Sequence, residues 1–166
     1  MSDGGLLALL PGLKQCLNLH TLSLNMNHLV LHQECAVAFG NLMMETQCAR
    51  VTLAHNIIGD IAIRHLASHF RENHHLEALS VSENRISAEG SGPLAAALLK
   101  CKVLREFSIR GNLLGDKGAE ELGGCLASHG ALRRLLIGQN SMSMDGVQAL
   151  MVTLVDCIID DREDDD

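Results

Sequence analysis

Apolar residues fall eight, five and three places before an asparagine, five times along the chain. The groups are Leu19/Leu22/Leu24 before Asn27, Cys48/Val51/Leu53 before Asn56, Leu76/Leu79/Val81 before Asn84, Leu104/Phe107/Ile109 before Asn112, and Leu132/Leu135/Ile137 before Asn140. The asparagines lie 29, 28, 28 and 28 residues apart. Self-similarity at this period, with the apolar positions in register at every copy, predicts a stack of like units rather than a single globular core. The last two apolar residues of each phrase alternate with other residues, the pattern of a short half-buried strand. Successive strands are expected side by side and parallel. The side-chain amide of Asn27, Asn56, Asn84, Asn112 and Asn140 can pair backbone groups of neighbouring turns, so these five residues are expected to form a structural ladder.

Two residues after each asparagine an apolar anchor returns (Leu29, Ile58, Ile86, Leu114, Met142), followed in four repeats by Gly59, Ser87, Gly115 or Ser143. A helical pattern comes next. Asp60 to Phe70, Ala88 to Leu98 and Asp116 to Leu126 align as copies, and Leu66/Phe70, Leu94/Leu98, Leu122/Leu126 and Leu150/Leu154 make an inward face at i, i+4. Ala62, Gly90, Gly118 and Gly146 share one helix position, where a small residue is expected to let the helix pack close to the strands. The resulting expectation is an α/β leucine-rich-repeat solenoid over residues 1–159. It is a horseshoe of about five repeats of 28–29 residues, with parallel inner strands and outer helices.

The runs Asn112-Leu-Leu-Gly-Asp-Lys-Gly-Ala-Glu-Glu-Leu and His55-Asn56-Ile-Ile-Gly-Asp resemble the N-x-[IL]-G-D-x-G-A-x-x-L signature of ribonuclease-inhibitor-type leucine-rich repeats. That type is shared by ribonuclease inhibitor, the activator of the nuclear-transport GTPase Ran, the carboxy-terminal sensor region of NOD-like receptors, and cytoskeletal and ciliary proteins. The alternating Cys-rich units and inner-surface aromatics of ribonuclease inhibitor do not appear, and no residue here maps onto the catalytic arginine of the Ran activator. The uniform cadence looks most like the sensor repeats of NOD-like receptors. The resemblance implies a non-catalytic protein–protein interaction module with sensing or regulatory work. The alternatives are a GTPase-activating module of the Ran-activator type and a cytoskeletal or ciliary scaffold.

Aligning Met1–Leu6 with the turn at Leu114 starts the chain halfway through a repeat, with a helix but no strand of its own. The expectation is the carboxy-terminal part of a longer array whose bare first strand favours self-association at the uncapped N-terminal edge. At the other end a sixth phrase would need apolar residues where Asp160, Glu163 and Asp165 stand, leaving Val155, Ile158 and Ile159 to cover the edge. Residues 160–166 are expected to be a solvated acidic tail. Docking of a basic partner, or folding back onto the chain's own arginines, are the alternatives.

Charge changes this picture little. Of the net −7, the last seven residues hold −5, so the body carries only −2. With no basic excess, no Trp or Tyr and three Phe, the chain lacks the platforms and charge for nucleic acid. No stretch reaches the roughly 20 apolar residues of a membrane span. The six cysteines include no C-x-x-C pair, and Cys16 and Cys101 take equivalent places that read as packing positions for a small apolar residue. Reduced thiols and a cytoplasmic or nuclear setting follow. His65 and His69 are i, i+4 but read as a solvated helix face. No motif asks for a metal or cofactor and no nucleophile stands out by spacing, so the chain reads as no enzyme.

Candidate partner-binding residues come from the variable strand positions. Arg105, Arg110, Arg133 and Arg134 belong to the last two strands, with Glu106 among them and Glu77 and Glu83 on the strand before. Arginine suits forked recognition of carboxylates. The expected partner is an acidic protein segment docking at this end of the inner wall; the alternative is ordinary solvated charge.

Overall fold

The computed structural model describes residues 1–71 and 73–159, with side chains described through 153. Helices and strands alternate along the chain: α1 (Asp3–Lys14), β1 (Thr21–Ser23), α2 (Gln33–Glu45), β2 (Arg50–Thr52), α3 (Asp60–Phe70), β3 (Ala78–Ser80), α4 (Ala88–Leu98), β4 (Glu106–Ser108), α5 (Gly115–Leu126), β5 (Arg134–Leu136) and α6 (Met144–Ile159). The strands form one parallel sheet in the order β1-β2-β3-β4-β5. Residues one repeat apart are paired directly, as in Arg50↔Ala78↔Glu106↔Arg134. The inward apolar positions and the inner helix faces merge into one continuous core. Phe39, Phe70 and Phe107 are all fully buried in it.

The strands are short because their entry and exit are both bent. At each entry two successive N–H groups donate to one carbonyl: Ala49 and Arg50 to His20, Glu77 and Ala78 to Ala49, Arg105 and Glu106 to Glu77, Arg133 and Arg134 to Arg105. At each exit the residue before the asparagine is left-handed: Met26 (φ 58°), His55 (55°), Glu83 (52°), Gly111 (69°) and Gln139 (59°). Only Gly111 adopts this conformation without steric cost. The carboxyl group of Glu83 also lies directly against the Cα of Gly111, where a Cβ would stand.

The asparagine amides then stitch repeat to repeat. Asn56 Nδ2 donates to Leu24 O (3.0 Å) and Leu53 O (2.9 Å), and its Oδ1 accepts from the N–H of Asn27 and of Leu29 (both 3.0 Å). Asn84 donates to Leu53 O and Val81 O and accepts from Ile58 N; Asn112 donates to Val81 O and Ile109 O and accepts from Ile86 N. Asn140 donates to Ile109 O and Ile137 O and accepts from Asn112 N. Asn27 follows the edge strand β1; its Nδ2 reaches Asn25 O and its Oδ1 accepts from the Met1 amino group.

Two further stitches were not read from the sequence. At the helix N-termini, Asp60 accepts from both the N–H and the hydroxyl of Ser87 (2.8 Å each), and Asp116 does the same with Ser143 (2.7 Å each). Asp3 accepts from the N–H groups of Val30, Leu31 and His32 and pairs with the His32 ring. The carboxylate is thus carried by α1, α3 and α5 and its partner stands before α2, α4 and α6, so the repeats alternate in pairs rather than being uniform. At the helix C-termini, Asn73 Nδ2 donates to Met43 O (2.7 Å), the Cys101 thiol to Phe70 O (2.8 Å) and His129 Nε2 to Leu98 O (3.1 Å). Phe70 O and Leu98 O also accept the N–H of Asn73 and of Cys101, so there the side chain of the next repeat supplies a second donor to a carbonyl of the last turn. His129 Nδ1 accepts from Leu132 N (3.1 Å), which fixes the Nε2–H tautomer.

Several expectations are corrected. Gly90 and Gly146 face not the strands but the start of the preceding helix, where a Cβ would run into Asp60 or Asp116. Cys101 is packed in the core as expected and donates a hydrogen bond besides, its thiol pushed up to about 11 by burial and so kept protonated, but Cys16 is exposed rather than packed. His69 does not lie on a solvated face: its ring covers Gly40 of α2, and its Nδ1 lies 3.0 Å from His65 O. The first strand is the open edge of the sheet, paired only with β2, but its inward Leu22 and Leu24 are 7% and 3% exposed and join Leu6 and Leu10 of α1 in the same core. At the opposite edge Leu132, Leu135 and Ile137 are only half-buried. The side chains of Leu154, Val155, Ile158 and Ile159 and the tail at 160–166 lie outside the described residues.

Candidate functional site: the concave wall

Because side chains alternate across a strand, every second residue of β1–β5 projects from the sheet opposite the core. Strand pairing without slippage makes these residues into rows. One row is Ser23, Thr52, Ser80, Ser108 and Leu136. Its hydroxyls bond to one another and to their neighbours: Thr52 Oγ1 donates to Asn25 Oδ1 (2.6 Å), Ser80 donates to Ser82 (3.2 Å), and Ser82 and Ser108 hydroxyls lie 2.6 Å apart. The floor of the wall is therefore small, neutral and internally satisfied until Leu136, which is 42% exposed.

The parallel row is Thr21, Arg50, Ala78, Glu106 and Arg134. Arg50 and Glu106 sit two strands apart, roughly 9.6 Å at the usual strand spacing, yet their side chains meet at 3.6 Å. Ala78 between them is small enough to be bridged. Together the two rows border a shallow hollow of about 340 Å³ that spans all five strands.

The sequence-predicted charges divide among different settings. Arg134 and Glu106 border the hollow. Arg110 lies beyond the strand end, its Nε donating to Gln139 Oε1 (2.9 Å). Arg105 and Arg133 stand at the strand entries, and Arg133 Nη1 donates to its own loop at Gly130 O (3.3 Å). Glu77 is at the equivalent entry position before β3, and Glu83 is folded over Gly111 at the strand exit. The four arginines thus do not form one cluster. Arg50, which the sequence reading left out because it is two repeats away from the others, shares the hollow with Glu106 and Arg134. In-register pairing is the signal that finds it.

The outer helices carry scattered exposed ion pairs, Lys14–Glu45, Arg64–Glu89 and Lys117–Glu121. Among the described residues there is no group of three or more His, Cys, Asp or Glu placed to hold a metal, and no helix long and apolar enough to cross a membrane. Five described cysteines are free thiols.

Comparison with known proteins adds a sequence match to this geometry. The family described as "Leucine Rich repeat" matches residues 72–95 and 100–123, two successive copies of the 28-residue unit. The chain is a leucine-rich-repeat solenoid. The solenoid is 25% identical to ribonuclease inhibitor of Sus scrofa over 181 residues, covering 90% of this chain and 40% of that protein, so it spans well under half the length of that relative. Among solved structures it is similar to the tropomodulin C-terminal domain of Caenorhabditis elegans, at a TM-score of 0.74 and 17% identity, over 95% of both chains. A similar match is to leiomodin-1 actin-binding site 2, at a TM-score of 0.73 and 17% identity, covering 93% of this chain and 90% of that one.

Proposed function

We propose that the solenoid is a non-catalytic protein-binding module whose working surface is the concave wall, with an acidic segment of the partner as ligand. The observation that carries this reading is the hollow itself. Apart from Val51, Leu79 and Phe107, which belong to the core, it is lined by in-register residues of the outward rows, and it holds two arginines against one glutamate. Exposed guanidinium groups that bind carboxylates in a fork are well suited to partner recognition. The test is affinity capture with the native chain, an Arg50→Glu/Arg134→Glu variant and an outer-helix control, Arg64→Glu/Lys117→Glu. A partner lost only with the first variant supports the reading; one lost only with the control places the contact on the helices.

Two settings for such a module are open to direct test. A sensing or regulatory role like that of NOD-like-receptor repeats draws on the even spacing of Asn56, Asn84, Asn112 and Asn140, 28 residues from one to the next. A cytoskeletal role draws on a match in extent: the tropomodulin and leiomodin-1 domains are covered nearly end to end, and the second is named for binding actin. Co-sedimentation with actin filaments and binding to actin monomers separate the two. Saturable binding favours the cytoskeletal setting, and none removes it.

A further inference from the structure

We propose that Glu106 is a built-in competitor for a carboxylate site formed by Arg50 and Arg134, and that the partner segment carries Asp or Glu two residues from an apolar side chain. This rests on the concave wall being the partner surface. Register places Glu106 between the two arginines, with Arg134 on the adjacent strand and Arg50 across Ala78. The Arg50–Glu106 contact of 3.6 Å is longer than the roughly 2.7–2.9 Å of a charge-assisted hydrogen bond, and both side chains are about half exposed. Among the described residues, Arg134 has no ion-pair or side-chain hydrogen-bond partner. One carboxylate is therefore loosely shared with one arginine while the second arginine stands open beside it.

A partner carboxylate would enter on Arg134 and compete with Glu106 for Arg50. The hydroxyl floor offers no rival charge. Leu136 lies two residues beyond Arg134 on the same strand, a separation of about 6.6 Å. Side chains i and i+2 of an extended chain have that same separation. A segment lying along β5 can therefore set its carboxylate on Arg134 and an apolar residue on Leu136.

The test is fluorescence anisotropy with a labelled peptide carrying two Glu-Ser-Leu units, against a Gln-Ser-Leu control, with each variant first shown to melt like the native chain. Glu106→Gln is expected to tighten binding roughly two- to fivefold, the range an exposed ion pair supports, and Arg134→Gln to weaken it at least as much. Unchanged binding by Glu106→Gln, with loss in Arg134→Gln, overturns the competitor role and leaves the concave reading intact. No preference for the Glu peptide in any form overturns the whole proposal. The concave reading then stands only if the captured partner is still lost from Arg50→Glu/Arg134→Glu; if that partner is retained, the reading fails too.

Discussion

Replacing two neighbouring asparagines should cost more than the sum of replacing each, and the structure says by how much and for which pairs. Val81 O accepts from both Asn84 and Asn112 (3.0 Å each), as Ile109 O does from Asn112 and Asn140. In Asn112→Ala, both carbonyls keep one amide donor, but Ile86 N loses the acceptor the asparagine supplied. One buried N–H left unpaired costs about 1–3 kcal/mol, and two weakened carbonyl bonds add roughly 0.5 kcal/mol each, so the single variant should lose about 2–4 kcal/mol. Asn84→Ala, which orphans Ile58 N, should lose a similar amount. The double variant also strips Val81 O of both donors, so it should fall about 1–2 kcal/mol below the sum. Asn56 and Asn112 share no carbonyl, and that pair should add within about 0.5 kcal/mol. Urea titrations followed by far-ultraviolet circular dichroism suit a chain without Trp or Tyr. Equal additivity in both cycles would refute the shared-acceptor argument.

Other consequences follow from the remaining stitches. His129→Ala removes a second donor to Leu98 O and a second acceptor for Leu132 N, groups that keep their backbone bonds to Cys101 N and His129 O, and should cost about 1–2 kcal/mol. His129→Asn should recover most of it, because Asn73 performs both tasks in its own repeat; thermal melts decide. Gln139→Gly should stabilise by about 1 kcal/mol, since Gln139 is held at φ 59° and the left-handed conformation costs about 1–2 kcal/mol for a residue with a Cβ. Bonds from Ser143 hold the Asp116 carboxyl below the usual carboxylate range. Burial opposes ionisation of Asp3, but bonds from His32, Leu31 and Val30 outweigh it and lower that carboxyl too. A lowered folded-state value means stability that is complete above the ordinary carboxylate range and lost as pH falls through the lowered value. The gap in melting temperature between the native chain and Asp116→Asn should therefore be widest at neutral pH and close in acid.

The fold was legible because the phrase ending in asparagine encodes strand, turn and ladder together, and its period puts each strand beside the last. The bounds of α3, α4 and α5 followed from the same alignment, with α5 beginning at Gly115 rather than Asp116, while α2, whose Gln33–Glu45 sequence does not copy the other three, was not delimited. The two other stitches were hidden for a chemical reason. Asn73, Cys101 and His129 do one job with three different side chains, so no residue type repeats. The Asp–Ser clasp recurs only at every second repeat, below the period being read. The candidate site was legible in part. Sequence placed Glu106 and Arg134 on the inner wall but grouped them with Arg105, Arg110 and Arg133, which the bent strand entries and exits carry away. The repeat alignment puts Arg50 in one row with Ala78, Glu106 and Arg134, but counting arginines on the last two strands passed over it, because only the side-chain reach across Ala78 joins it to Glu106.

The central claim is that the concave wall, and not the outer helices, receives the partner. Amide hydrogen exchange of the solenoid with and without a captured partner tests it directly. Slowed exchange is expected only in peptides spanning β2–β5, around Thr52, Ser80, Ser108 and Leu136. Slowed exchange over α3, α4 and α5 with the strands unchanged would contradict it.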